Sequence, residues 1–132
     1  MEHIALFETI LYVNDQEKSA SFYEKIFRRS PSLHVPGMTE FQIAANIKLG
    51  LMPSSGIVKI LDGKIEHPDK AGSVARCELY LYVADVDLEF QNAIAAGARI
   101  LSEVQPRNWG DKACYFADPD GHIIAFAQRH DL

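Results

Sequence analysis

The sequence predicts an α+β protein made of two paired β-α-β-β-β modules that together form a half-open curved sheet. Three observations predict it. The octapeptide ETILYVND at residues 8–15 returns as ELYLYVAD at residues 78–85, and five of the eight positions agree: Glu, Leu, Tyr, Val and Asp. Each copy runs straight into a segment whose apolar residues recur at helical spacing. After each of those segments come short runs that read as strands. A plain ferredoxin-like βαββαβ domain uses fewer strands and leaves the repeated glutamate unexplained.

The elements follow in order. Residues 4–13, IALFETILYV, read as a strand, and period-2 alternation puts Glu8, Ile10 and Tyr12 on one face and Phe7, Thr9, Leu11 and Val13 on the other. A helix is predicted over about 15–28, capped by Asn14 with Glu17 three residues on, with Phe22, Tyr23, Ile26 and Phe27 as its apolar stripe. Arg28 and Arg29 suit its C-terminal end and Pro31 stops it. Strands are predicted near 39–45 and 47–52. The stretch 53–76 carries Pro, Gly and Ser without a clear period and reads as a linker with room for one short strand.

The second copy repeats the scheme. Glu78, Tyr80 and Tyr82 oppose Leu79, Leu81 and Val83. Asp85 or Asp87 caps a helix over about 86–96 with Val86, Phe90, Ala93 and Ile94 as its stripe and Gly97 at its C-terminal turn. Strands are predicted near 98–103, 112–117 and 122–128, the last two joined by the tight turn Asp118-Pro119-Asp120-Gly121. The layout is a single domain over 1–132, with module one at about 4–52, a linker at about 53–74 and module two at about 75–130. A helix covers one face of each small sheet. The other face must pack beside its twin, which would set Glu8 and Glu78 across a common interior near a pseudo-twofold axis.

Composition excludes several classes. The net charge is −5 and the longest basic run is Arg28–Arg29, which disfavours a nucleic-acid partner. No apolar run approaches the length of a membrane span, and the N-terminus carries no basic-plus-apolar signal, so a cytoplasmic protein without a membrane partner is expected. Cys77 and Cys114 lie in predicted strands and are expected to be free buried thiols. Neither has a Cys or His at ligand spacing.

The strand–Asp–helix openings ETILYVNDQEKSASFYEKIF and ELYLYVADVDLEFQNAIAAGARIL, with the closing WGDKACYFADPDGHIIAFAQ, resemble the vicinal oxygen chelate superfamily of glyoxalase I, bleomycin- and fosfomycin-resistance proteins and extradiol dioxygenases. The likeness spans nearly the whole chain and is nearest to bleomycin-resistance-like members. It implies the glyoxalase/bleomycin-resistance fold and a homodimer; the fold itself hosts many chemistries. In metal-dependent relatives each module gives two ligands. The resemblance places these at Glu8 and Gly50 in module one and at Glu78 and Ala125 in module two, and glycine and alanine have no donor atom.

The expected site is therefore a metal-free, cofactor-free cup for a small aromatic or cationic molecule. Its ligand-binding residues are Glu8, Tyr12, Glu78, Tyr80, Tyr82 and Trp109, with Gly50 and Ala125 opening the volume. The paired glutamates are either functional or a remnant of duplication. If they share a cup, the like charges raise the pKa of one carboxyl and the pair invites a cation, a ligand amine or Arg76, Arg107 or Lys112. Trp109, the only tryptophan, is either a cap or a stacking wall. His122, beside the DPDG turn, is expected to cap or face solvent; His3, His34, His67 and His130 have no ligand spacing. The rival readings are a metal-dependent lyase, isomerase or dioxygenase of the same superfamily, in which a metal acts as Lewis acid, and a degenerate binding module without a small-molecule ligand.

Overall fold

The computed structural model describes residues 3–72 and 74–129; His130 lies outside them. The chain divides into two compact units. The first runs to Gly72 apart from Lys25–Phe27, and the second holds those three residues and the chain from residue 73.

The first unit begins with β1 (Phe7–Val13) and α1 (Gln16–Phe27), then β2 (Leu33–Val35), β3 (Met38–Ala44), β4 (Ile47–Pro53), α2 (Ser54–Ile60) and a 3₁₀ turn at Pro68–Ala71. The second contains β5 (Glu78–Tyr82), α3 (Val86–Ala95), β6 (Arg99–Pro106), β7 (Lys112–Ala117) and β8 (Ile123–Gln128). The sheets have the orders β1-β4-β3-β2 and β5-β8-β7-β6, which correspond strand by strand. In each, the opening strand pairs in parallel with the module's last strand, Leu11 with Leu51 and Leu81 with Phe126, and the remaining pairs are antiparallel.

The predicted parity of β1 holds at its C-terminal half, while Phe7, expected on the same covered face, is 63% exposed at the strand's start. Leu11 and Val13 are buried with Thr39, Phe41, Leu49 and Leu51, and α2 packs against β4 and β1. In the second unit Cys114, Phe116, Ile124 and Phe126 are buried and α3 packs across β6, β7 and β8. Burying such side chains contributes roughly 1.5–3 kcal/mol each.

The helix ends show what the sequence did and did not specify. Asp85 caps α3 by accepting from Leu88 N at 3.1 Å. Gly97, at φ 89°, closes the helix with paired bonds, Ala98 N to Ala93 O and Gly97 N to Ile94 O. Ile94 was expected in the apolar stripe but is exposed. The cap of α1 is Asp15, not Asn14: its carboxylate accepts from Lys18 N at 3.0 Å, and Asn14 instead donates to Asp69 at 2.8 Å. Two elements were not anticipated. The segment read as linker holds α2, whose N-cap is Pro53 without a side-chain cap, and β2 precedes the two predicted strands of module one. Cys114 is buried in β7, whereas Cys77 precedes β5 and is exposed, because β5 begins one residue later.

Candidate functional site

In module two, strand alternation places Glu78, Tyr80 and Tyr82 on one face of β5, and Tyr80 and Tyr115 both pair in register with Ala125. The hydroxyl of Tyr80 donates to Asp111 Oδ2 at 2.6 Å, and that of Tyr82 to the same oxygen at 2.8 Å. The indole N–H of Trp109 is shared between Tyr80 Oη at 2.9 Å and Asp111 Oδ2 at 3.1 Å. The Tyr80 and Tyr82 rings meet edge to face at 5.4 Å and 72°, and Tyr80 and Trp109 are tilted by 56° at 6.5 Å. Asp111 is only 3% exposed, while Trp109 is 59% and Tyr82 44% exposed and Tyr80 is half-buried, so the charge is buried and two of the three rings are open.

The electrostatics follow from this knot. The Tyr80 bond, then those of Tyr82 and Trp109 and the charge of Arg129, hold the Asp111 carboxyl below its usual value against the effect of burial. Burial and the bond to Asp111 push the Tyr80 phenol up to about 12. The Arg129 guanidinium lies 5.2 Å from the Tyr82 ring centroid, and Arg107 lies 5.0 Å from that of Tyr115.

The structure thus brings together three of the six expected residues, Tyr80, Tyr82 and Trp109, around a fourth that was not expected. Glu78 is exposed at the start of β5. Burial and then the charge of Glu78 raise the Tyr115 phenol. Two of the cations considered for the glutamates are engaged elsewhere. Lys112 pairs with Asp87 at 2.9 Å, and Arg107 donates to Ala113 O at 2.8 Å and Ser102 Oγ at 2.9 Å.

Glu8 and Tyr12 belong to module one, on the face shared with Lys48 and Gly50. Glu8 is half-buried and its Oε2 is buried without a hydrogen-bond partner. Burial first, then a hydrogen bond with Glu40 and the charge of that residue, raise its carboxyl pKa, opposed by Lys48. Lys48 Nζ lies 3.4 Å from Glu40 Oε1. The expectation that Gly50 opens volume is corrected. A Cβ built there would lie 2.5 Å from Ile10 Cδ1 and 2.6 Å from Glu8 Oε2, so neighbouring side chains already fill the space. Ala125 is fully buried.

Cavities lie in both units among the described residues. One, of about 230 Å³, is lined by Pro106, Gly110, Asp111, Lys112, Gln128 and Arg129, beside the aromatic knot. The other, of about 510 Å³, surrounds the start of α1 and includes Glu17 and His34. There both ring nitrogens of His34 are engaged, Nδ1 with Thr39 Oγ1 at 2.7 Å and Nε2 with Glu17 at 3.0 Å, which leaves no nitrogen for a substrate. His122 Nδ1 bonds Asp118 Oδ2 at 2.8 Å. With Asp120 these form a cluster of potential metal-binding atoms within 4.8 Å, in which Asp118 also accepts from the backbone N–H groups of Asp120 and His122.

A family model for the glyoxalase-like domain matches residues 6–129. The chain belongs to the glyoxalase-like domain family. It is thereby a member of the vicinal oxygen chelate superfamily. An uncharacterized protein of Mycobacterium bovis is 31% identical over 121 residues, covering 89% of this chain and 79% of that protein. A glyoxalase-related enzyme from Fulvimarina pelagi has the same fold, with a TM-score of 0.79 at 23% identity, covering 94% of this chain and 87% of its own. A glyoxalase/bleomycin resistance protein/dioxygenase family enzyme from Burkholderia phytofirmans gives 0.76 at 16% identity, covering 92% and 95%.

The metal site of metal-dependent glyoxalase-like proteins does not fit the residues found here. Gly50 and Ala125 supply no donor, and the room that a longer side chain would need at position 50 is filled by Glu8 and Ile10.

Proposed function

We propose that this glyoxalase-like protein binds a small molecule carrying a planar or cationic group, without a metal, on the Tyr80–Tyr82–Trp109 wall of module two. The observation that carries the reading is the convergence of three aromatic side chains on one buried carboxylate, with Tyr82 and Trp109 exposed and Tyr80 half-buried between them and the sheet. Exposed rings held in fixed orientation offer stacking and cation–π contacts, each worth roughly 0.5–2 kcal/mol. The mismatch between the donors at positions 8, 50, 78 and 125 and a metal shell supports binding over metal-assisted catalysis. Sequestration requires no reacting group, and the knot offers none: its carboxylate is engaged by three donors. Homodimer formation and a cytoplasmic location complete the proposal, from the resemblance and the unpaired thiols.

Trp109 is the only tryptophan, so its emission reports directly on the wall. Arylammonium compounds should quench it saturably, and Trp109→Phe should abolish the signal. Elemental analysis of the purified protein should find no stoichiometric divalent metal, and chelator should leave the unfolding temperature unchanged. One Zn, Ni, Fe or Mn per chain, lost on Glu8→Ala, would restore the metal-dependent reading. Light scattering giving the mass of a single chain would remove the dimer.

A further inference from the structure

We propose that Asp111 is the specificity-determining residue of this wall and selects an organic cation over an uncharged molecule of the same shape. The inference rests on the wall being the binding surface, and names its ligand class. Asp111 was not legible as a site residue, yet it organises every polar atom of the knot. Tyr80, Tyr82 and Trp109 each direct their donor at Oδ2, at 2.6, 2.8 and 3.1 Å. Two consequences follow.

The first is that the wall has little hydrogen bonding left to give. The phenol hydrogens and the indole N–H are committed to the carboxylate, and the Tyr80 oxygen also accepts from Trp109. A ligand therefore meets ring faces and edges instead of O–H and N–H donors, which disfavours phenolates and carboxylates that would need those donors. The second is that a buried negative charge stands at the polar edges of the rings, because Asp111 accepts from their O–H and N–H groups, is 3% exposed and is held ionised by those partners. That charge adds to the negative potential of the ring faces, the part of an aromatic ring that attracts cations.

The fold already displays the preference. Arg129 sits 5.2 Å from the centroid of Tyr82, and Arg107 stacks in the same manner on Tyr115. Arg129 and Lys112 also line the cavity behind Asp111. They would oppose a second cation in that cavity, which places the ligand's cation on the open side, against Tyr80 and Trp109. A weakly hydrated quaternary or aryl ammonium fits such a surface, since it gives up little hydration on leaving water.

The test compares 3-hydroxyphenyltrimethylammonium with its uncharged carbon isostere 3-tert-butylphenol, by Trp109 quenching. The wild-type protein should bind the ammonium about tenfold more tightly. In Asp111→Asn, which keeps the shape and removes the charge, the ratio of the two affinities should fall to about one. The alkaline titration of tyrosine absorbance should move with it: the group at about 12 should drop toward the other tyrosines in Asp111→Asn, a signature that general loosening of the fold would not confine to one tyrosine. Should Asp111→Asn fail to fold, Tyr82→Phe retains both the ring and the carboxylate, and its affinity ratio should still favour the ammonium. A ratio lost in Tyr82→Phe would mean that the hydroxyl discriminates, and would overturn the proposal. So would a ratio that survives Asp111→Asn, or equal binding of the two probes to the wild type, in which case the wall stands as the binding surface and Asp111 fails as its selector. If neither probe binds the wild type, the binding wall itself is refuted and the proposal with it.

Discussion

Replacing Gly50 by alanine measures how tightly the Glu8 and Ile10 side chains fill the space beside β4 in module one. Gly50 lies in β4 with ordinary strand backbone, so alanine meets no conformational barrier. Its lower unfolded-state entropy alone would stabilise by roughly 0.4–1 kcal/mol. Against that, the new Cβ would stand 2.5 Å from Ile10 Cδ1, 2.6 Å from Glu8 Oε2 and 3.4 Å from Met38 Sδ. The two closest atoms are tips of flexible side chains, so they swing aside instead of forcing the backbone, and overpacking of this kind costs about 1–3 kcal/mol. The net expectation is a loss of about 1–2 kcal/mol. For a chain of this length that is a fall in unfolding temperature of roughly 4–8 °C. Glu8 Oε2 is one of the two obstacles, so the substitution should cost less in a Glu8→Ala background, with a coupling of at least about 0.5 kcal/mol. Urea unfolding of the four proteins of the cycle, read by circular dichroism, provides the numbers. A neutral or stabilising Gly50→Ala, or strict additivity with Glu8→Ala, would refute the claim that the Glu8 carboxyl fills this space.

Other perturbations follow from single contacts. Burial alone would lower the His122 pKa, but the bond and charge of Asp118 raise it above the ordinary 6.5. The stabilisation from this pair is therefore complete below the unfolded value and lost as pH rises through the higher folded one. His122→Gln should destabilise more at pH 5.5 than at pH 8.5, and equal losses at both would contradict the assignment. Asp15→Ala and Asp85→Ala should each lower stability by about 1 kcal/mol through loss of the helix cap, whereas Asn14→Ala should leave the cap of α1 intact. A thiol reagent should label Cys77 in the native protein and reach Cys114 only on unfolding, since burial covers the latter and raises its pKa; two fast-reacting thiols would be inconsistent with β7 as described.

What the sequence revealed depended on how local the determining contacts are. The strand–Asp–helix openings repeat within eight residues, and so both copies were recognisable, as was the turn at Gly97, while the cap of α3 was narrowed to Asp85 or Asp87 and the structure selects Asp85. Asn14 and Asp15 are both competent caps, and only backbone geometry chooses between them. Helix α2 reads Ser-Ser-Gly-Ile-Val-Lys-Ile, seven residues with a glycine inside and no side-chain cap. Such a segment has weak intrinsic helicity, and it is held by packing on β4 and β1, which no local pattern displays. Strand β2 is three residues between prolines at 31 and 36. Asp111 stayed hidden for a related reason. Its loop, Asn-Trp-Gly-Asp, looks like solvent-facing turn sequence, and two of its three donors lie 29 and 31 residues away. Gly50 misled in the opposite direction. Read along the chain it is a missing side chain, but the Glu8 carboxyl and the Ile10 methyl on the neighbouring strand reach across to occupy the place.

The parallel pairing of first and last strand in each module also orders events during synthesis. Leu11 cannot find Leu51 until forty further residues have been made, and Leu79 waits forty-five for Ile124. At roughly 5–20 residues per second on the ribosome, that is an interval of about 2–9 seconds for each opening strand. During it β1 stands without its neighbour, with Phe7 at its start and Ile4 and Leu6 just before it, all three still exposed in the finished fold. The nascent chain is most open to misassociation in that interval, and a chaperone that holds extended apolar segments would engage it there, before the fourth strand of the module emerges.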